Sequence, residues 1–153
     1  DFKNTIIIMT SNIGSKEIAD FDGRDYESMR KRVTAELRQV FRPEFLNRLD
    51  DIVVFHRLER SHIHAIVEVQ LKDFEARLAA QRITLTVSDK AKKALGDEGY
   101  DPVYGARPLK RVISRQLENP VSRMIISGEI VEGNHLEVDY DPEQMQFRFK
   151  ATF

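Results

Sequence analysis

The stretch Phe41–Phe55, FRPEFLNRLDDIVVF, constrains this chain more than any other. Pro43 has a fixed φ and no N–H, so no regular helix passes through it. Phe41 and Phe45 flank it as aromatic anchors, and the β-branched run Ile52–Val54 reads as a buried strand. Arg48 therefore falls between an anchor and a core strand, beside the acids Asp50 and Asp51. A guanidinium placed there has two uses. It pairs with a neighbouring carboxylate, or it reaches out of the fold toward a charged ligand.

Upstream, Ile6–Thr10 is apolar on both faces, which suits the middle of a covered parallel sheet. It ends in Thr10-Ser11-Asn12, and Gly14 allows a turn. Met29, Val33, Leu37 and Val40 recur at helical spacing, so Tyr26–Val40 is a predicted helix. Ile52–Phe55 is the second predicted strand. His56–Ser61 reads as a hinge, dividing the chain into 1–57 and 58–153.

The second half reads helix, strand, helix, helix, strand, strand. Ser61 is positioned to cap a helix whose core face is Ile63, Ile66, Val67, Phe74 and Leu78. Arg82–Val87 alternates with period two. Ser88 or Asp89 opens a helix to about Gly96, and Asp101-Pro102 with Gly105 forms a turn. Pro108 suits the start of a long helix striped by Leu109, Val112, Ile113, Leu117, Val121, Met124 and Ile125. Pro120 interrupts that stripe, which predicts a kink near Asn119; Gly128 stops it. His135–Tyr140 and Gln144–Phe149 form a hairpin through Asp141-Pro142. The fold class is mixed α/β.

With 24 basic and 25 acidic residues among 153, the net charge is −1, so charge gives no call for nucleic acid or an anionic membrane as partner. There is no cysteine, hence no disulfide or thiolate chemistry. No stretch approaches the ~20 apolar residues of a membrane span, and cytoplasmic residence fits. His62 and His64 are two apart and face different ways on a helix, so neither they nor the isolated His56 and His135 make a metal site.

Three stretches together resemble one family. FRPEFLNRLDDIVVF is similar to the arginine-finger segment of Clp-type AAA+ ATPases. Asn4–Asn12, NTIIIMTSN, resembles the strand ending in the sensor-1 residue. Gly99–Arg111, GYDPVYGARPLKR, resembles the sensor-2 motif. The motifs stand in the family's order and span most of the chain. Within the family they most resemble the second AAA+ module of ClpB-type disaggregases.

The resemblance implies a fold. Residues 1–57 would be the last third of a large nucleotide-binding subdomain, with two strands and one helix. Residues 58–153 would be the small lid, with helices and a three-stranded sheet. It also implies roles. Arg48 would reach a neighbouring subunit's γ-phosphate, where a planar cation stabilises spreading charge. Asn12 would orient the attacking water, with Thr10 and Ser11 as second choices; read alone, it is an asparagine closing a turn. Arg107, presented by Gly105-Ala106-Arg107-Pro108, would touch its own subunit's phosphates; read alone, it is a solvated cation at a helix start. Arg111 reads as surface charge.

No GxxxxGK[ST] loop occurs, and no acidic strand end to hold magnesium is recognisable. The chain therefore reads as a fragment, inactive as an ATPase alone and without tight affinity for ATP or Mg. In the parent, ATP and Mg would be the cofactors, subunits of a ring hexamer the neighbours, and unfolded or aggregated polypeptide the substrate. The interval Ser15–Val40 lacks the tripeptide by which peptidase-associated Clp unfoldases are known, and QLENP at Gln116–Pro120 is similar to ClpB. A protease-associated unfoldase remains an alternative, and so does a non-enzymatic oligomerisation module. With the strand that would lie between Ile6–Thr10 and Ile52–Phe55 absent, the isolated chain is expected to self-associate.

Overall fold

Asp25 and Phe41 bound the longest helix of the N-terminal unit. The Asp25 carboxylate accepts the Ser28 N–H at 3.0 Å and so caps helix α2, Tyr26–Val40. At the other end Phe41 is already extended, and Arg42 follows with φ −67° and ψ 144°, the conformation a following proline demands. In the computed structural model, which describes residues 1–153, the chain forms two compact units, Asp1–Arg57 and Leu58–Phe153.

The first unit also holds α1, Ser15–Ala19, and α3, Pro43–Leu46. Its small core is Met29, Val33 and Val54, with Ile18 and Phe21 against them. Gly14, at φ 78°, lets the chain press on α2; a β-carbon there would stand 2.9 Å from both γ-carbons of Val33. The Tyr26 hydroxyl donates to the Val54 carbonyl at 3.0 Å.

Neither strand expected in residues 1–57 forms, so that unit has three short-to-medium helices where two strands and one helix were expected. Ile6, Ile7 and Ile8 are 80–87% exposed, and of the second stretch only Val54 is buried. The physical reason is that a strand exists as part of a ladder. Apolar β-branched residues supply the propensity, but no segment of this unit runs beside either stretch to accept its hydrogen bonds. Val40, at the end of the α2 stripe, is also exposed.

The second unit has its own core. Helix α4, Ile63–Ala79, buries Ile63, Val67, Leu71, Phe74 and Leu78. Its entry differs from the expected Ser61 cap. A 3₁₀ turn, Arg60–His62, precedes the helix, so the capping box sits at Glu59 and His62. There the Glu59 N–H donates to His62 Nδ1 at 3.3 Å. Strand β1, Thr84–Val87, leads to α5, Asp89–Gly99, whose N-terminus is capped by Ser88 Oγ accepting from the Ala91 N–H at 3.1 Å.

The long helix is continuous in direction but not in hydrogen bonding. Helix α6, Leu109–Ile113, passes into a π turn, Ser114–Glu118, and then α7, Asn119–Ser127. Pro120 has no N–H to donate back to the preceding turn, and the widened turn lies directly before it. Backbone angles stay helical on both sides of the turn, so the expected break at Asn119 takes the form of this local widening. Gly128, at φ 79°, ends α7 in the left-handed conformation.

Strand β2, His135–Asp141, pairs parallel with β1 and antiparallel with β3, Gln146–Thr152, in the order β1-β2-β3. Leu136 and Val138 of β2 are fully buried against the helices. In the hairpin Asp141 accepts the N–H groups of Glu143 and Gln144 at 3.0 and 3.2 Å, and Met145 takes φ 53°. That turn uses residues 142–145, which is why β3 starts two residues later than its sequence pattern indicates.

Candidate functional site

The candidate residues fall in both units. In the first, α3 is a single turn started by Pro43. The rings of Phe41, just before it, and Phe45, within it, stand with centroids 5.2 Å apart. The Arg48 N–H donates to the Phe45 carbonyl at 3.1 Å, so its backbone is tied to the aromatic pair. Its side chain is exposed and pairs with neither Asp50 nor Asp51, whose proximity in sequence offered the simplest alternative role. Asp51 instead accepts the N–H of the next residue, Ile52, at 2.8 Å.

Asn12 is exposed at the end of the apolar stretch, just before α1. Its backbone carbonyl accepts the Ser15 N–H at 3.3 Å, while Ser11 Oγ accepts the Ile13 N–H at 3.2 Å. The turn is thus closed by the Asn12 main chain and the Ser11 side chain, which leaves the Asn12 amide uncommitted. No hydrogen bond joins Asn12 to Arg48.

In the second unit, residues 101–105 form a closed loop. Asp101 N–H donates to the Gly105 carbonyl at 2.8 Å, and Gly105 N–H returns to the Asp101 carbonyl at 2.7 Å. The Asp101 carboxylate accepts the N–H groups of Val103 and Tyr104 at 2.7 and 2.8 Å. Gly105 leaves the loop at φ 63°, and Ala106 packs against the core. Arg107 then projects into solvent ahead of α6. Its guanidinium lies over the Tyr104 ring, 5.7 Å from the centroid, and has no carboxylate partner.

Acids on the last turn of α5 are occupied elsewhere. Asp97 pairs with Lys93 and Arg60, and the hydrogen bonds from those two, Lys93 first, hold its carboxyl below the usual aspartate range. Glu98 accepts from Arg115 and Gln116. Arg107 keeps its charge uncancelled. Sequence alone marks Tyr104 only as an aromatic residue three positions before the arginine, across a glycine turn. No group of three His, Cys, Asp or Glu side chains is arranged to hold a metal.

These geometries can be set beside known proteins. Residues 58–138 match the model described as the C-terminal, D2-small domain of ClpB protein. The chain belongs to the ClpB family. Residues 1–52, which contain Asn12 and Arg48, match the AAA domain (Cdc48 subfamily). The chain is 54% identical to the chaperone protein ClpB of Meiothermus ruber, over 99% of this chain and 18% of that protein. It is 49% identical to chaperone protein ClpB 1 of Nostoc sp., over 99% and 17%. It is also 46% identical to the ATP-dependent Clp protease ATP-binding subunit ClpC of Staphylococcus aureus, over 96% and 19%. Among solved structures it is similar to Hsp104 of S. cerevisiae in a complex with casein, with TM-score 0.77 and 36% identity. That match covers 94% of this chain and 25% of the Hsp104 chain. The chain thus spans about a fifth of the length of the curated ClpB and ClpC relatives it matches.

Proposed function

We propose that this segment serves a longer AAA+ chaperone of the disaggregase type, supplying three side chains to ATP hydrolysis in a ring of six subunits. Arg48 is the finger offered to a neighbour's γ-phosphate, Asn12 orients the attacking water, and Arg107 contacts phosphates bound by its own subunit, with Gly105 and Ala106 presenting it. The observation that carries this reading is that Arg48 and Arg107 are both exposed guanidinia with no carboxylate partner, each tied by its backbone to a hydrogen-bonded turn. Such cations fit a polyphosphate, whose charge they can stabilise without first breaking an ion pair. A bound ATP would supply the transferable phosphoryl group, and its magnesium would need ligands from outside this segment. The polypeptide substrate would be gripped by parts not contained in these residues, and the assembly would work in the cytoplasm.

The match to ClpC supports a second reading, the same segment of a protease-associated unfoldase. The short interval Ser15–Val40, which lacks a peptidase-docking tripeptide, favours the disaggregase.

The decisive experiment places Arg48→Ala in the full-length protein. Nucleotide affinity should be retained while turnover falls by about 10³ or more, roughly 4 kcal/mol of transition-state stabilisation. Mixing these subunits with subunits unable to bind nucleotide should show the defect acting in the neighbour. Normal hydrolysis by the assembled Arg48→Ala protein would remove the finger assignment.

A further inference from the structure

Tyr104 presents a problem for any account of this unit as a packed core alone. It is a large aromatic side chain with 62% of its surface exposed, so its burial contributes little. Its backbone nevertheless sits in a loop closed by four hydrogen bonds within residues 101–105. The Asp101 carboxylate takes its N–H, the paired Asp101 and Gly105 main chains close the loop, and its own carbonyl accepts the Arg107 N–H at 3.3 Å. The side chain held in this way makes one contact of note, with the Arg107 guanidinium 5.7 Å above its ring.

A phosphate-binding arginine has two conflicting needs. It must be held in direction, because ordering a free arginine side chain on binding costs conformational entropy. It must also keep its charge. A carboxylate would hold it and cancel the charge, whereas the face of an aromatic ring attracts the cation and leaves its donors free along the guanidinium edge. The loop supplies a ring and no acid side chain at Arg107. In the same unit Arg60, Arg115 and Arg148 are held by carboxylates, and Arg77, the other arginine over a ring, also pairs with Glu118; Arg107 has the ring alone.

We propose that Tyr104 is a positioning residue for Arg107, keeping its guanidinium extended toward bound phosphate without neutralising it. This rests on the reading of Arg107 as a phosphate contact. Tyr104 acts through Arg107 and touches no reacting atom. The contact energy of an exposed cation–π pair sets the expected size, a two- to five-fold loss of nucleotide affinity, approximately, when the ring is removed.

The test is a double-mutant cycle in the full-length protein, with affinity for a fluorescent ADP as the readout. Tyr104→Ala should weaken binding in the native background and have no effect when Arg107→Ala is already present. Tyr104→Phe, which keeps the ring, should restore native affinity. Independently, in the 153-residue chain, the Arg107 Nε–H proton should lie upfield of its random-coil position and return to it in Tyr104→Ala but not in Tyr104→Phe. Equal losses in both backgrounds, or no loss from Tyr104→Ala while Arg107→Ala weakens binding, overturn the positioning role and leave the Arg107 assignment standing. Native affinity in Arg107→Ala overturns the assignment itself, and the positioning role with it.

Discussion

Gly99 and Leu109 are in such close contact that a β-carbon on Gly99 would stand 2.5 Å from Leu109 Cδ1 and 2.8 Å from its Cα. Gly99 is the last residue of α5, and Leu109 is the first of α6. The loop that presents Arg107 is strung between them. Its base is therefore fixed by backbone contact, and the side chain could make room but the Cα could not.

Gly99→Ala should accordingly destabilise the second unit by about 1–3 kcal/mol, the usual range for overpacking. It should also displace the start of α6 and weaken nucleotide binding in the full-length protein. Urea denaturation and nucleotide titration measure the two effects. A variant with native stability would mean that α5 and α6 separate at little cost.

Arg107→Ala should leave the second unit folded, because Leu109, Val112 and Ile113 of α6 remain buried without it. In the full-length protein it should weaken nucleotide binding within its own subunit. Arg107→Lys should recover only part of the affinity, since an ammonium keeps the charge but loses the planar fork. Full recovery by lysine would show that charge alone matters there.

Acid should weaken the second unit within a definite window. Hydrogen bonds from Lys93 and then Arg60 lower the Asp97 carboxyl from its ordinary value of 3.8, and Ser88 and then the Tyr140 backbone do the same for Asp139. A carboxyl lowered on folding contributes stability above its unfolded value and loses it as pH falls through the folded value. The melting temperature should therefore hold above about pH 5 and drop below about pH 4. Asp97→Asn should be less stable at pH 7, by under about 1 kcal/mol for so exposed a pair, with the difference vanishing near pH 2. A difference that persists undiminished at pH 2 would rule out the ion pairs as its source.

The chain on its own should associate. Ile6, Ile7, Ile8, Val53 and Phe55 are all at least 65% exposed and make no ladder hydrogen bonds. Exposed apolar segments of this kind recruit other chains. Residues 58–153, which contain a sixteen-residue buried core, should remain monomeric when made alone. Light scattering on both chains checks this, and a monomeric full chain would contradict it.

What the sequence determined by itself lies where information is local or periodic. Helix α2 was legible because Met29 and Val33 repeat with its pitch and Pro43 forbids its continuation. The second unit was legible element by element because its helices, its alternating strands and the stops at Gly128 and Asp141 each carry their own signal, and all of them close on one core. The three arginine and asparagine candidates came from short motifs, whose residue types can be read without a structure. Tertiary structure alone decided the rest. Whether Ile6–Thr10 becomes a strand depends on a partner segment, and apolar β-branched residues do not encode whether one is present. The role of Gly99 depends on Leu109, ten residues on, and that of Tyr104 on where a left-handed glycine turns Arg107. Those are distances between side chains on different elements, and a sequence lists residues without their separations.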